Sequence, residues 1–397
     1  MARLWDKGQP LHPSVLAYTA GEDHALDQRL VAHDIRGSLA HAKMLHKQKF
    51  LDDTDYEAIR SGLEEVGAQH ARGEWHIELE DEDAHTAIEN RLTAAIGAAG
   101  GRLHLGRSRN DQVLTALRLY LRSAIDQVID ATTSVRAALA RLNERQGGIE
   151  LPGYTHMQQA MPSTVALWSG GFDETLADAA AGLEAARRRI NKNPLGSAAG
   201  YGTPGLALDR DFTTAELEFA ETQAPVTAVQ LSRGKGEAGL LFELALLQQD
   251  LGRLASDLLM FYTQEFAYID LTTEVTTGSS IMPQKRNPDV LELMRAASAT
   301  ASASLAECLM ITSKLPSGFQ RDVQRIKAPL FRSIDLALES LGVMPLILDG
   351  MSFRAENITL DDDIHAAARA YALVAAEGIP FREAYRRVAA ELNPASD

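Results

Sequence analysis

Between residues 114 and 142 an apolar residue returns at every seventh position: Leu114, Leu121, Val128, Val135 and Leu142. Leu117, Ala124, Ala131 and Ala138 fill a second seam. A repeat sustained this long fixes one face of a continuous helix, and small residues along a seam let neighbouring helices approach closely. Such a helix cannot bury its stripe alone, so the chain must supply others. Helical patterns recur at 163–192, about 209–222, 225–268, 288–313 and about 329–347, punctuated by Pro162, Pro194, Pro225, Pro288 and Pro316. The first hundred residues read as shorter helices, with an interruption expected near Gly37. No hairpin signal is visible and the LPGYTHMQQAMP stretch, residues 151–162, reads as a loop. These signals predict an all-α fold with a long-helix bundle at its centre.

Composition narrows the partners. The 397 residues carry a formal net charge of −15, which argues against nucleic acid or an anionic membrane as the main partner. An anion site must therefore be a local concentration of cations. A single cysteine, Cys308, leaves no internal disulfide framework and fits a core position. The amino-terminal MARLWDKGQP lacks the apolar stretch of a signal peptide, so a cytoplasmic protein is expected.

Polar groups concentrate in a few stretches. GSSIMPQKRNPDVLELMR, residues 278–295, offers Ser279 and Ser280, the cations Lys285 and Arg286, Asn287, and Glu292 on the helix that Pro288 opens. LHLGRSRNDQ, residues 103–112, turns at Gly106 and starts the heptad helix, with Asn110 or Asp111 as its expected cap; Arg107, Ser108 and Arg109 at a helix amino terminus suit a carboxylate or a phosphate. Within 151–162 lie Tyr154, Thr155, His156 and Gln158. SRGKGE, residues 232–237, places Arg233 and Lys235 in a long helix whose glycines call for a close crossing. The acidic run IELEDEDAH, from Ile77, reads mostly as a solvated face. No phosphate loop and no dinucleotide fingerprint accompany these stretches.

In their order and separation, GRSRNDQ, GYTHMQ and GSSIMPQKRNPD resemble argininosuccinate lyase of the fumarase and aspartase superfamily. GSSIMP alone is shared across that superfamily; the other two stretches and QKRNPD narrow it. The resemblance runs from LDQRLVAHDIRGSLAHAKML through NPLGSAAG to PFREAYRRVA. It implies three domains, here residues 1–106, 107–350 and 351–397, and a homotetramer with a twenty-helix core whose active sites draw loops from three subunits. The implied reaction is β-elimination of argininosuccinate to arginine and fumarate in arginine biosynthesis, with no metal or organic cofactor. By resemblance Ser279 is the base, Lys285 stabilises its alkoxide and Asn287 holds a carboxylate. His156 assists proton transfer, with Glu292 as its pairing carboxylate. The residues alone leave open which of Ser279 and His156 is base and which acid. Ser108, Arg109, Asn110 and Thr155 match positions that grip the substrate.

The chain departs from the family at the leaving-group end. Asp23 stands where a serine is common, four residues before Asp27. FQRDVQRIK, residues 319–327, keeps Gln324 and Lys327, but Phe319 replaces a substrate-binding tyrosine and Ile326 an acid. VTAVQLSRGK keeps Arg233 alone of a charged core, Leu105 replaces a threonine, and the tail beyond about residue 350 is short. Two alternatives follow: a lyase releasing fumarate from another N-succinyl amine, or a catalytically silent, crystallin-like structural tetramer.

Overall fold

The computed structural model describes residues 12–392. The MARLWDKGQP reading lies outside them. The fold is helical throughout, with three two-stranded sheets among the described residues. The main helices are α1 (Val31–Lys47), α2 (Asp53–Ala71), α3 (Ala84–Ile96), α4 (Arg109–Gln146), α5 (Val165–Ile190), α6 (Lys235–Phe261), α7 (Asp289–Thr312), α8 (Lys327–Gly350), α9 (Ala366–Glu377) and α10 (Phe381–Leu392). Among the described residues, no helix is long and apolar enough to cross a membrane.

The chain divides into two compact units, one of residues 1–130, 180–246 and 299–338, the other of 131–179, 247–298 and 339–397. Each of α4 to α8 contributes residues to both. The heptad seam is buried along its whole length, Leu114, Leu121, Val128, Val135 and Leu142 being 2% exposed or less.

In the first unit α1 packs on α2 and α3 over a core that includes Ile35, Leu45, Ile59, Leu63, Ile88 and Leu92. Helix α1 runs through Gly37 without interruption. A side chain there would sit 3.4 Å from the Thr115 methyl, so the glycine marks a close approach to α4 rather than a break. Buried Asp34 on α1 holds the contact: it pairs with His85 and accepts from Gln112 Nε2 at 3.0 Å and Ser38 Oγ at 3.1 Å. The pattern expected at 209–222 yields only a seven-residue helix, Arg210–Glu216. The short strand Glu221–Thr222 then runs parallel to Lys192–Asn193. Buried Asn193 accounts for this, donating to Thr213 and Thr214 at 2.9 Å each. The helix expected over 225–268 is two pieces, Thr227–Leu231 and α6, separated by Gly234 at φ +78°.

In the second unit the 151–162 stretch is a hairpin. Strands β1 (Glu150–Thr155) and β2 (Gln158–Thr164) pair antiparallel around His156 and Met157, both at positive φ. Such turns normally announce themselves with Asn-Gly or Asp-Gly, which is why the sequence showed no signal. Strands β3 (Ile269–Leu271) and β4 (Met351–Phe353) form a second antiparallel pair. Helices α9 and α10 close on Ala370, Ala384 and Val388. Cys308, in the first unit, is buried as expected.

The break at Gly234 gives a test. A β-carbon there would clash with the Thr312 methyl, at a φ that side chains rarely adopt. Gly234→Ala is therefore expected to destabilise the protein by roughly 1 kcal/mol or more in urea titration. An unchanged midpoint would contradict this account of the break.

Candidate functional site

In the first unit a cavity of about 150 Å³ is lined by Asp23, Asp83, Arg109, Asn110, Val113, Arg233, Phe319, Arg321, Gln324 and Lys327. Its base is Lys327, the first residue of α8, 2% exposed. The ammonium donates to Asp27 Oδ1 at 2.6 Å and Asp23 Oδ2 at 2.8 Å. Burial works against the charge on Lys327, but the two carboxylates outweigh it and its pKa is raised. Burial pushes the Asp23 carboxyl upward, partly countered by Lys327 and reinforced by Asp27. One wall is the turn Arg321–Ile326: Gln324 Nε2 and Arg321 Nη2 each donate to Thr19 O at 2.9 Å.

The opposite wall is the start of α4. Ser108, not Asn110 or Asp111, caps this helix: its Oγ accepts from Asn110 N at 3.3 Å, and Asp111 Oδ1 reaches back to Ser108 N at 3.0 Å. Asp111 also accepts from Gly196 N and Ala198 N, at 2.9 and 2.8 Å, fixing the NPLGSAAG loop, and its burial raises its pKa to about 6. With Ser108 at the cap, Arg109 and Asn110 open the first turn. Arg109 donates to Asp83 at 2.5 Å and Glu82 at 3.0 Å. The end of the acidic run is thus buried rather than solvated, Asp81, Glu82 and Asp83 being buried with Glu82 and Asp83 as counter-charges to Arg109, while Glu78 and Glu80 are exposed. Burial favours the neutral form of Asp83, yet the Arg109 guanidinium overrides it and holds that carboxyl at about 2. Arg233 is 7% exposed, lies over the Phe319 ring at 5.6 Å, and its Nε has no hydrogen-bond partner among the described residues.

Four cations and two carboxylates line this cavity, with Asp27 and Glu82 also paired to Lys327 and Arg109, so its charge is mixed. A ligand carrying carboxylates and a cationic group meets complementary partners there. The sequence reading named seven of the lining residues: Asp23, Arg109, Asn110, Arg233, Phe319, Gln324 and Lys327. Asp27 stands directly behind Lys327. Asp83 was missed because a run of acids looks solvated in sequence. Its signal was Arg109, a helix-start cation that needs a counter-charge when buried.

The remaining named residues belong to the second unit. Thr155 and His156 sit exposed at the hairpin tip, which is pinned by Tyr154 Oη to Tyr268 Oη at 3.1 Å. The 278–286 loop closes on an exchange between Thr277 and Asn287, with N–H···O distances of 2.9 and 2.8 Å. The Asn287 amide donates to Gly278 O at 3.2 Å. Ser279 Oγ accepts from the amides of Ile281 and Met282, at 3.3 and 3.1 Å, so two backbone donors face that oxygen. Lys285, Asn287 and Glu292 line one cavity of about 1010 Å³ with Arg286 and Arg295. Among the described residues, no hydrogen bond or ion pair engages the His156 ring, the Lys285 ammonium or the Glu292 carboxylate, so the expected His156–Glu292 pairing is not made within one chain.

A protein-family model described as "Lyase" matches residues 15–302. The chain is 45% identical to an argininosuccinate lyase of Sorangium cellulosum (strain So ce56), over 100% of this chain and 92% of that one. It is 39% identical to an argininosuccinate lyase of Thermotoga neapolitana, over 98% and 97%. Among solved structures it is similar to EDDS lyase in complex with formate, with a TM-score of 0.82, 26% identity, and coverage of 98% of this chain and 77% of that one. It also shares the fold of a class II fumarase from Schistosoma mansoni, with a TM-score of 0.80, 17% identity, and coverage of 96% and 88%.

The Arg109–Asp83 contact predicts an acid limb in stability. A carboxyl held at about 2, against 3.8 in its ordinary state, stabilises the fold above about pH 4, and this is lost as pH falls toward 2. The contribution is about 2 kcal/mol. Urea titrations between pH 2 and 7 should therefore show a shallower acid limb for Asp83→Asn than for the parent. Equal limbs would remove Asp83 from the account.

Proposed function

Because the chain belongs to the argininosuccinate lyase family, we propose that it cleaves argininosuccinate to arginine and fumarate, in the cytoplasm and as a step of arginine biosynthesis. The observation that carries this reading is the gathering of seven predicted residues around one cavity of mixed charge based on Lys327. That cavity would take the amino-acid part of the substrate, its carboxylate toward Arg233 and its cationic groups toward Asp23.

The elimination begins with removal of a proton from the carbon beside a succinyl carboxylate. The electron pair moves into that carboxylate as an aci-dianion, which collapses to the double bond of fumarate while the carbon–nitrogen bond breaks and the nitrogen gains a proton. Charge develops on the carboxylate, so fixed donors and cations there lower the barrier. We assign the proton abstraction to Ser279, because two amides already point at its oxygen and would stabilise an alkoxide. Lys285 adds a cation, Asn287 holds the carboxylate, and His156 delivers the proton to the leaving nitrogen. Ser108, Arg109, Asn110 and Thr155 complete the grip on the substrate, and Asp27 supports Lys327.

Four copies complete the sites. On this reading the 107–350 domain builds a twenty-helix core, flanked by 1–106 and 351–397, and each site takes 106–112, 153–158 and 278–295 from three different subunits. A free His156 ring and Glu292 carboxylate in the single chain fit partners supplied by another copy. Retention of Ser279, His156, Lys285, Asn287 and Glu292 opposes a purely structural tetramer. Phe319, in the wall of the cavity, favours one second reading: the same elimination with a different N-succinyl amine, since a ring without a hydroxyl holds the leaving group differently.

Fumarate absorbance separates these readings. Turnover of argininosuccinate with matching arginine release supports the first; turnover only of other N-succinyl amines moves the assignment to the second. Ser279→Ala should remain tetrameric by light scattering while kcat falls by about three orders of magnitude or more. Near-normal turnover in that variant would take Ser279 out of the mechanism.

A further inference from the structure

The loop that carries Ser279 and Lys285 is anchored on one side by an arginine to which the elimination described above gives no role. Arg286 is the last residue before the Thr277–Asn287 exchange. Its Nη2 donates to the carbonyl of Leu271, the last residue of β3. Its Nε reaches Thr276 Oγ1 at 3.4 Å, and its Nη1 lies 3.7 Å from Asp270 Oδ1. Asp270 is itself fixed: it pairs across the sheet with Ser352, its carboxylate accepts from Arg354 Nη2 at 2.8 Å, and the Leu271 amide donates to it at 3.0 Å. Arg354 N in turn donates to Tyr268 O at 2.8 Å. The guanidinium therefore spans three acceptors on β3 and the segment that follows it, while among the described residues the Lys285 ammonium beside it has no partner, and Ile281 at the loop tip is 85% exposed.

An exposed ion pair at 3.7 Å contributes little by itself. What distinguishes Arg286 is the fork: several donors of one rigid group engage a strand end, which fixes direction as well as distance. Its immediate neighbours are Lys285 and Asn287, and Asn287 is already held by the bridge. Fixing residue 286 leaves the Lys285 side chain as the free element at a fixed origin.

We propose that Arg286 is a positioning residue, clamping the carboxyl-terminal limb of the 278–286 loop to β3 so that Lys285 and Asn287 keep their places relative to the Ser279 oxygen. The inference rests on the reading of this loop as the eliminating one. It adds a device that sets loop geometry without touching substrate. Arg286→Ala leaves the bridge, the sheet and the Asp270–Arg354 pair in place and removes only the clamp. Loss of a fixed origin for Lys285 acts on the transition state more than on substrate binding, so it lowers kcat and leaves KM nearly alone.

The test uses the full-length protein with Arg286→Ala, Arg286→Lys, Asp270→Asn and the Arg286→Ala/Asp270→Asn pair. Arg286→Ala is expected to reduce kcat about tenfold or more with KM within about threefold. Hydrogen exchange of residues 278–285 should accelerate about tenfold while β3 and β4 keep their protection. Arg286→Lys, which can still donate to Leu271 O, should recover part of both losses. In the pair, Asp270→Asn should lower kcat by a smaller factor than it does in the parent, because part of the effect of Asp270 runs through the arginine. Wild-type kcat and wild-type loop exchange in Arg286→Ala, or losses that multiply in the pair, would overturn the proposal. If the parent releases fumarate from no N-succinyl amine, the functional reading fails, and the exchange arm still decides the clamp.

Discussion

The buried ammonium of Lys327 between Asp23 and Asp27 is the contact on which the first unit's cavity depends. Asp27 is fully buried and Lys327 nearly so, and such a pair offsets its desolvation only if its remaining donors and acceptors are also satisfied. The two carboxylates take two of the ammonium's three donors, and Asp27 Oδ2 also accepts from Ala84 N at 3.5 Å. The contact also brings the segment around residue 23 to the first residue of α8, and Gln324 and Arg321 extend it by bonding the carbonyl of Thr19. The cavity wall is therefore made of two segments far apart in sequence, held by charge rather than by an apolar seam. The Asp23 carboxyl is the variable member, since burial and Asp27 push it up while Lys327 opposes them.

The second unit solves a different problem. Its named residues stand on a hairpin tip and on a loop beside a two-stranded sheet, so they are fixed through backbone bonds. The Thr277–Asn287 exchange closes the loop, the two amides on Ser279 shape its turn, and Tyr154 against Tyr268 ties down the hairpin. Rigid bases with free side-chain ends fit the proposed site completed by other copies. A chain in which His156 and Glu292 already paired would have less to offer a partner.

Much of this was legible beforehand, for identifiable reasons. A seven-residue repeat has no other economical fold, so α4 was evident and its seam is buried throughout. Arg109, Asn110 and Arg233 stood out because a cation or amide beside a helix start or a glycine is costly without a task, whereas Asp23, Phe319, Gln324 and Lys327 were named through the family resemblance. What was not legible depended on tertiary partners. Gly37 looked like a helix break because the helix against which it packs is some eighty residues away in sequence. The hairpin lacked turn glycines, and His156 and Met157 carry the positive φ instead. The acidic run was read as solvated because its counter-charge, Arg109, arrives only when the chain folds back.

The proposed site is composite, built from several copies. The most direct measurement is activity after mixing and reassembling two variants, Asn110→Ala and Ser279→Ala, each nearly inactive alone. If the two residues of one site come from different subunits, about one site in four in an equal mixture regains both, and fumarate release rises to that order of the parent rate. A mixture that stays at the level of the separate variants would contradict the shared site.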